Sequence, residues 1–313
     1  MRYEEYLKGM LALTAARIDL HNHSTASDGR LTPAHLVEMA RNRGLSAIAL
    51  TDHDTVAGLA MFHDAGKKRG IETVSGVEVS ADFEKGTMHI LGLFVDSQNQ
   101  EFRAFLKSLA NGRKVRNPQI IQKLNELGMK ITMAEVEQEA GVCDNGAGSG
   151  AIDKCVGRPH IAAVLIRKGY IKNKQEAFDR FLAKGKPAYV PRFVATPAES
   201  IRQIHNAEGL AILAHPFYLK AEDDIELESI VADLKKKGLD GIETHYSTHT
   251  PEQKTIAEKI AKNLELLVSG GSDFHGEDGR NGQRVDMGTG INGTLSVPYE
   301  VLEKLKEKRK QRH

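Results

Sequence analysis

Ser46-Ala47-Ile48-Ala49-Leu50-Thr51-Asp52-His53-Asp54 sets a short apolar run directly against three ionisable side chains. A run of this length has the size of a buried strand, and the abrupt change of chemistry marks its end. The arrangement recurs along the chain. Runs at Ala16 to Leu20, Glu72 to Val77, Leu210 to Leu213 and Leu264 to Val268 lead into His21-Asn22-His23, Glu78, His215 and Asp273-Phe274-His275, and further runs span His89 to Val95 and Gly241 to Glu243. Seven candidate strands result. Between the first two, Leu31, Leu36, Val37, Met39 and Ala40 keep helical spacing, introduced by Thr32-Pro33 and stopped at Gly44. Strands alternating with helices imply a parallel sheet, open or closed, in an α/β fold. Polar clusters that follow the strands lie where a barrel places its chemistry, at the C-terminal strand ends.

A chain of 313 residues is long for one compact domain unless that domain is a barrel, and one barrel with an insertion fits the length. From Ser97 to about Arg192 helical periodicity takes over and the metal-type clusters stop. Phe102, Phe105, Leu106 and Leu109, then Ile120, Ile121, Leu124 and Leu127, predict two helices closed by Gly112 and Gly128. Residues 17–96 and 193–313 are thus assigned to the barrel and 97–192 to a helical cap insertion. Gly141 to Gly157, with five glycines and both cysteines, Cys143 and Cys155, reads as a loop carrying two free thiols. Lys304 to Arg312 reads as a solvated basic helical tail.

Apolar residues at 40% and charged residues at 27% are those of a globular chain in water. The net charge of +1 gives no general basic surface, so anions must be met by a local cluster. Glu4, Glu5 and Lys8 ahead of a short apolar patch at Met10 to Ala16 lack the form of a signal peptide, and no run of about 18 apolar residues exists. The expected location is the cytoplasm, with no membrane contact and no stable protein partner implied.

The polar clusters have the chemistry of a metal site. Side chains two apart on an extended segment share a face, so His21 and His23 can reach one ion while Asn22 turns away, and Asp273 and His275 repeat the spacing. His53, beside Asp52 and Asp54, reads as a ligand, with Asp52 as the carboxylate that fixes its tautomer and Asp54 free to cap the next helix. Glu78, between Val77 and Val79, is a carboxylate in a buried run and needs a cation or donors to offset desolvation. His89 opens one strand, His215 closes another, and Asp28 lies in a Ser-Asp-Gly turn.

These motifs, Asp19-Leu20-His21-Asn22-His23-Ser24, Thr51-Asp52-His53-Asp54, Gly76-Val77-Glu78, Ala214-His215-Pro216 and Ser272-Asp273-Phe274-His275, resemble those of the PHP (polymerase and histidinol phosphatase) phosphoesterases, all present and in order. The resemblance implies a distorted seven-stranded (β/α)7 barrel with a trinuclear metal site at its C-terminal mouth. It implies one ion held by His21, His23, Glu78 and Asp273, a second by Glu78, His89 and His215, and a third by Asp28, His53 and His275. Gly157-Arg158-Pro159-His160-Ile161-Ala162, together with Glu176 to Phe181 and Gly185 to Pro191, is similar to the helical cap of a bacterial branch of that family. Members of that branch remove the 3'-phosphate from nucleoside 3',5'-bisphosphates and shorten RNA from the 5' end.

Two or three divalent ions can activate water and stabilise charge on a phosphoryl group without a side-chain nucleophile. Six imidazoles favour manganese, with iron or zinc as alternatives, over magnesium. The expected ligand is a small nucleotide or a short 5'-phosphorylated oligonucleotide. Arg113, Arg116, Arg158, His160, Lys186 and Arg192 are the cationic donors that the insertion offers its phosphates, with Arg158 and His160 foremost. The alternatives are a phosphatase of a small metabolite such as histidinol phosphate and, outside catalysis, a metal-binding protein or a polymerase-associated structural module.

Overall fold

In the computed structural model, which describes residues 16–142, 154–276 and 283–312, seven strands lie side by side in chain order. They are β1 (Arg17–Asp19), β2 (Leu45–Leu50), β3 (Glu72–Ala81), β4 (Met88–Leu93), β5 (Leu210–Leu213), β6 (Gly241–Tyr246) and β7 (Leu267–Gly271). The ring closes where the chain leaves β1 and β7. There the Leu20 amide donates to the Gly270 carbonyl (3.1 Å), the Asp273 amide to His21 (2.9 Å) and the His23 amide to Phe274 (2.9 Å). A short β8 (Val297–Pro298) adds antiparallel to β1. Glu4 to Ala15, Cys143 and most of the glycine-rich loop lie outside the described residues.

The sheet departs from the all-parallel expectation at one strand. β4 runs antiparallel to both β3 and β5, while the other barrel neighbours pair in parallel. The connection at 82–87 is too short for a crossover helix and makes a hairpin instead. The reversal brings the start of β4 to the mouth, so His89 meets side chains that stand at the ends of their strands.

In chain order the helices are α1 (Pro33–Asn42), α2 (Leu59–Arg69), α3 (Gln100–Glu126), α4 (Met133–Glu139), α5 (Arg158–Arg167), α6 (Lys174–Ala177), α7 (Pro197–Asn206), α8 (Asp224–Lys236), α9 (Pro251–Asn263) and α10 (Tyr299–Arg312). Three of them, α1, α7 and α9, open on Thr-Pro. The threonine hydroxyl accepts the amide three residues on, and the proline fills the first helical position, where its missing N–H costs nothing. Leu36, Phe62, Ile204, Val231 and Ile260 from the outer helices bury against the outward faces of the strands, including Ile48, Val77 and Ile90.

The inward faces begin apolar. Ile18, Ala47, Val74, Leu91, Leu210 and Ile212 form a second buried cluster, closed by Leu302 and Leu305 of α10. The C-terminal helix is therefore a barrel plug as well as a charged face: Lys306 pairs with Glu72 (2.5 Å) and Arg312 with Asp240 (3.0 Å), both at strand starts.

A third apolar cluster, from Ile120 to Val190, belongs to the helical insertion. Here α3 runs unbroken from Gln100 to Glu126, so Gly112 closes no helix. Glycine inside a helix costs about 1 kcal/mol relative to alanine, which a long, packed helix absorbs. Its small size is used: a Cβ at Gly112 would lie 3.0 Å from the Phe193 carbonyl, where the chain returns from the insertion. The first half of α3 packs on the barrel through Phe102 and Leu109, the second on the insertion through Ile120 and Leu124. Among the described residues no helix is long and apolar enough to cross a membrane.

β1 and β7 approach so closely that a Cβ at Gly271 would lie 2.4 Å from the His21 amide nitrogen and Cβ. Gly271→Ala should force the seam apart and destabilise the fold by roughly 1–3 kcal/mol, the range for overpacking. A urea denaturation midpoint equal to that of the wild type would contradict this.

Candidate metal centre

Alternation along β3 places Val74 in the barrel interior and Glu78, four residues on, inward at the mouth. Alternation along β4 does the same for Leu91 and His89, read in the opposite direction. The two extended segments His21-Asn22-His23 and Asp273-Phe274-His275 lie side by side through a parallel bridge between Asn22 and Phe274. Asn22 turns away and donates to Asp19 Oδ1 (3.1 Å) and to the Ala49 carbonyl (3.2 Å). Asp54, His215 and Asp273 have positive φ values of 53°, 28° and 56°, backbone that L residues seldom adopt and that bends the chain sharply at the strand ends.

All of these turns converge on Glu78, which is fully buried. Its Oε1 lies 2.7 Å from His89 Nδ1, 3.0 Å from His215 Nε2 and 3.5 Å from His21 Nε2. Its Oε2 lies 2.8 Å from His53 Nδ1 and 3.2 Å from His23 Nε2. Asp273 Oδ1 stands 3.5 Å from His21 Nε2 and 3.2 Å from His23 Nε2, which groups these three with Glu78. On the far side Asp28 lies 3.2 Å from His275 Nε2 and 3.8 Å from both His23 Nδ1 and His53 Nε2. The structure thus brings together all six histidines and three carboxylates singled out in the sequence. Burial disfavours the Glu78 charge, but His53, His89 and His21 outweigh it and hold the carboxyl well below the usual carboxylate range.

The donor set fits divalent cations. Among the described residues, both ring nitrogens of His23, together with His21 Nε2, His53 Nδ1, His215 Nδ1 and Glu78 Oε2, are buried and make no hydrogen bond. Each such atom costs about 1–3 kcal/mol if nothing compensates it, and their concentration on one point is what a metal centre requires. Groups formed by His23, Asp28, His53 and His275, by His21, His23 and Glu78, and by His53, Glu78 and His89 each have their donor atoms within 4.8 Å of one another.

Supporting residues hold these side chains in place. Glu243, fully buried on β6, stands 3.1 Å from His21 Nδ1 and accepts the His215 amide at 2.8 Å. It fixes which His21 nitrogen faces the cluster, as a carboxylate behind a metal-binding histidine does. It ends an apolar run just as Glu78 does, so the signal for it was present in the sequence. Tyr246 gave no such signal. A bulge between Glu243 and His245 turns it inward in place of His245, and its hydroxyl donates to Asp273 Oδ2 at 2.6 Å.

Asp52 and Asp54 have roles other than those expected of them. Asp52 accepts from the Ser24 amide (2.7 Å) and from the hydroxyls of Ser24 and Ser27 (2.6 Å each), so it pins the loop that carries Asp28 rather than fixing a histidine ring. Asp54 caps no helix, because α2 begins at Leu59 behind Gly58. Its carboxylate accepts from Ser80, Arg113 and Arg192. Burial opposes the Asp54 charge, yet Arg113 and then Arg192 pull the carboxyl down to about 2.

The insertion brings further cations to the same edge of the mouth. Arg116 is 4% exposed and donates only to Asn117 Oδ1 (3.2 and 2.8 Å) among its hydrogen bonds in the described residues. Burial, then the charges of Arg113, Arg158 and Arg192, push its pKa down. Arg158 donates to the Leu182 carbonyl at 2.9 Å and lies 5.4 Å over the Phe178 ring, so it also holds the insertion together. His160 accepts the Gly157 amide at Nδ1 (3.0 Å), which leaves its proton on Nε2. Lys186 is exposed.

A family model described as the PHP domain matches residues 19–182. The chain is 36% identical over 260 residues to a 5'-3' exoribonuclease of Haemophilus influenzae, spanning 83% of this chain and 90% of that one. It is 34% identical over 268 residues to a 3',5'-nucleoside bisphosphate phosphatase of Chromobacterium violaceum, spanning 85% and 90%. A solved structure of an amidohydrolase from Chromobacterium violaceum, with bound sulfate and no metal, matches with a TM-score of 0.77 at 32% identity, covering 92% of this chain and 97% of that one.

Glu243→Gln keeps the volume but removes the charge behind His21. Divalent-metal affinity, measured by competition with a chromogenic chelator, should fall about 10- to 100-fold, as for other residues that orient a ligand. Unchanged affinity would remove Glu243 from the centre.

Proposed function

This chain belongs to the PHP-domain family of metal-dependent phosphoesterases, and on that premise we propose that it removes the 3'-phosphate from nucleoside 3',5'-bisphosphates. The products are a nucleoside 5'-monophosphate and inorganic phosphate. Arg116 carries this substrate assignment: a buried guanidinium, bonded to no carboxylate among the described residues and pressed by three other arginines, lacks an anion. A second phosphate on the substrate supplies one. The relative named a 3',5'-nucleoside bisphosphate phosphatase supports the same reading.

His21, His23, Glu78 and Asp273 would hold one ion, Glu78, His89 and His215 a second, and Asp28, His53 and His275 a third, with manganese favoured over iron or zinc for so many imidazoles. When bound, such ions supply Lewis-acid polarisation of phosphoryl oxygens and activation of water. The chain's own residues supply orientation. Arg113, Arg116, Arg158 and Arg192, with the Nε2 proton of His160, bind the 5'-phosphate as charge-assisted donors and so set the 3'-phosphate over the mouth. Water oxygen then joins phosphorus, the bond between phosphorus and the 3'-oxygen breaks, and a proton lost by the water ends on the 3'-oxygen, which leaves as the ribose hydroxyl. Trimming of short 5'-phosphorylated RNA is a second reading, favoured by the relative named a 5'-3' exoribonuclease.

Phosphate release should be followed with manganese and after chelation, using adenosine 3',5'-bisphosphate, AMP, histidinol phosphate and a 5'-phosphorylated RNA trimer. Metal-dependent release from the bisphosphate, leaving AMP, is expected. Release from histidinol phosphate alone would overturn the substrate assignment. Arg116→Met should raise KM for the bisphosphate about 10- to 100-fold, the worth of one charged hydrogen bond, without lowering thermal stability. An unchanged KM would place Arg116 outside the anion site.

A further inference from the structure

One buried carboxylate ties both ends of the insertion to the barrel. Asp54 is 1% exposed and follows His53 in the chain. Its Oδ2 accepts from Arg113 Nε at 3.1 Å, from Arg113 Nη2, and from Arg192 Nη2 at 3.1 Å. Arg113 lies midway along α3, where that helix passes from barrel packing to insertion packing, and Arg192 lies where the chain returns. The two ends also touch directly, with Gly112 against the Phe193 backbone. The carboxylate itself is held on the barrel side. Oδ1 accepts the Ser80 amide at 2.9 Å, and the Asp54 amide donates to the Glu78 carbonyl at 3.0 Å. Its left-handed backbone, φ 53°, turns the side chain from the β2 end toward the insertion.

We propose that Asp54 is a positioning residue, a latch that fixes the insertion to the mouth and presents Arg113 and Arg192 to the substrate's second phosphate. Two like charges brought to one oxygen would otherwise repel and splay, and only a fixed anion between them keeps both guanidiniums side by side. The latch itself follows from the contacts above. The assignment of the arginines to a second phosphate rests on the function proposed for the site.

The test uses the full-length, manganese-loaded protein and its Asp54→Asn variant. Amide hydrogen exchange should quicken about tenfold or more in both 108–117 and 189–195, with strands β2 and β3 unchanged. KM for adenosine 3',5'-bisphosphate should rise about tenfold while kcat stays within about threefold and metal content is retained. Adding Asp54→Asn to Arg192→Gln should raise KM by less than Asp54→Asn does in the wild type, because only Arg113 is then left for it to misplace. Unchanged exchange, or additive effects in the double variant, would overturn the latch, as would loss of metal with a matching fall in kcat. If Asp54→Asn does not fold, Arg192→Gln alone should still quicken exchange in 108–117, and a change confined to 189–195 would refute the proposal. Exchange is independent of any substrate, so a wild type inactive on bisphosphates would refute the proposed function and leave the latch to be judged on exchange alone.

Discussion

A carboxylate buried among imidazoles organises this protein. Glu78 has no exposed surface, and five histidines from four separate segments of the chain approach its two oxygens. Taking one charge out of water costs several kcal/mol even after relaxation, and clustered unbonded ring nitrogens add to that cost. No packing of apolar side chains offsets such an arrangement. Cations do, and the fold around Glu78 can be understood as the means of bringing ligands to them while keeping everything below the mouth dry.

That division runs along each strand. β3 buries Val74 before presenting Glu78, and β4 presents His89 before burying Leu91. Because β4 is reversed, the same inward face serves from its start. The supporting carboxylates then divide the remaining work. Glu243 stands behind His21, Asp52 holds the loop bearing Asp28, and Asp54 faces the insertion. Arginines brought to this edge give it the opposite charge to the acid-rich centre, so a substrate spanning both would meet cations at each of its phosphates.

Much of this was legible in the sequence, because the barrel writes its chemistry at strand ends and strand ends are local. The six histidines, Glu78 and Asp273 each followed or opened an apolar run, Asp28 stood in a Ser-Asp-Gly turn shortly after one of them, and all of them meet in the structure. What stayed hidden depended on relations between distant segments. The direction of β4 is set by the short connection at 82–87, not by its own residues. Tyr246 reaches the site through a bulge that breaks the alternation on which strand reading relies. Asp54 and Gly112 each looked like punctuation, a cap and a stop, and each is explained only by what packs against it from the other end of the insertion. Glu243 had a visible signal that a single acidic residue at a strand end was too common to raise.

The most direct test of the central claim is anomalous diffraction from crystals grown with manganese. At least two manganese peaks are expected beside Glu78, with His21, His23, His89 and His215 among the residues in contact. The absence of any peak at Glu78, or a single ion bound away from it, would contradict the reading of this cluster as a multinuclear metal centre and with it the mechanism built on that centre.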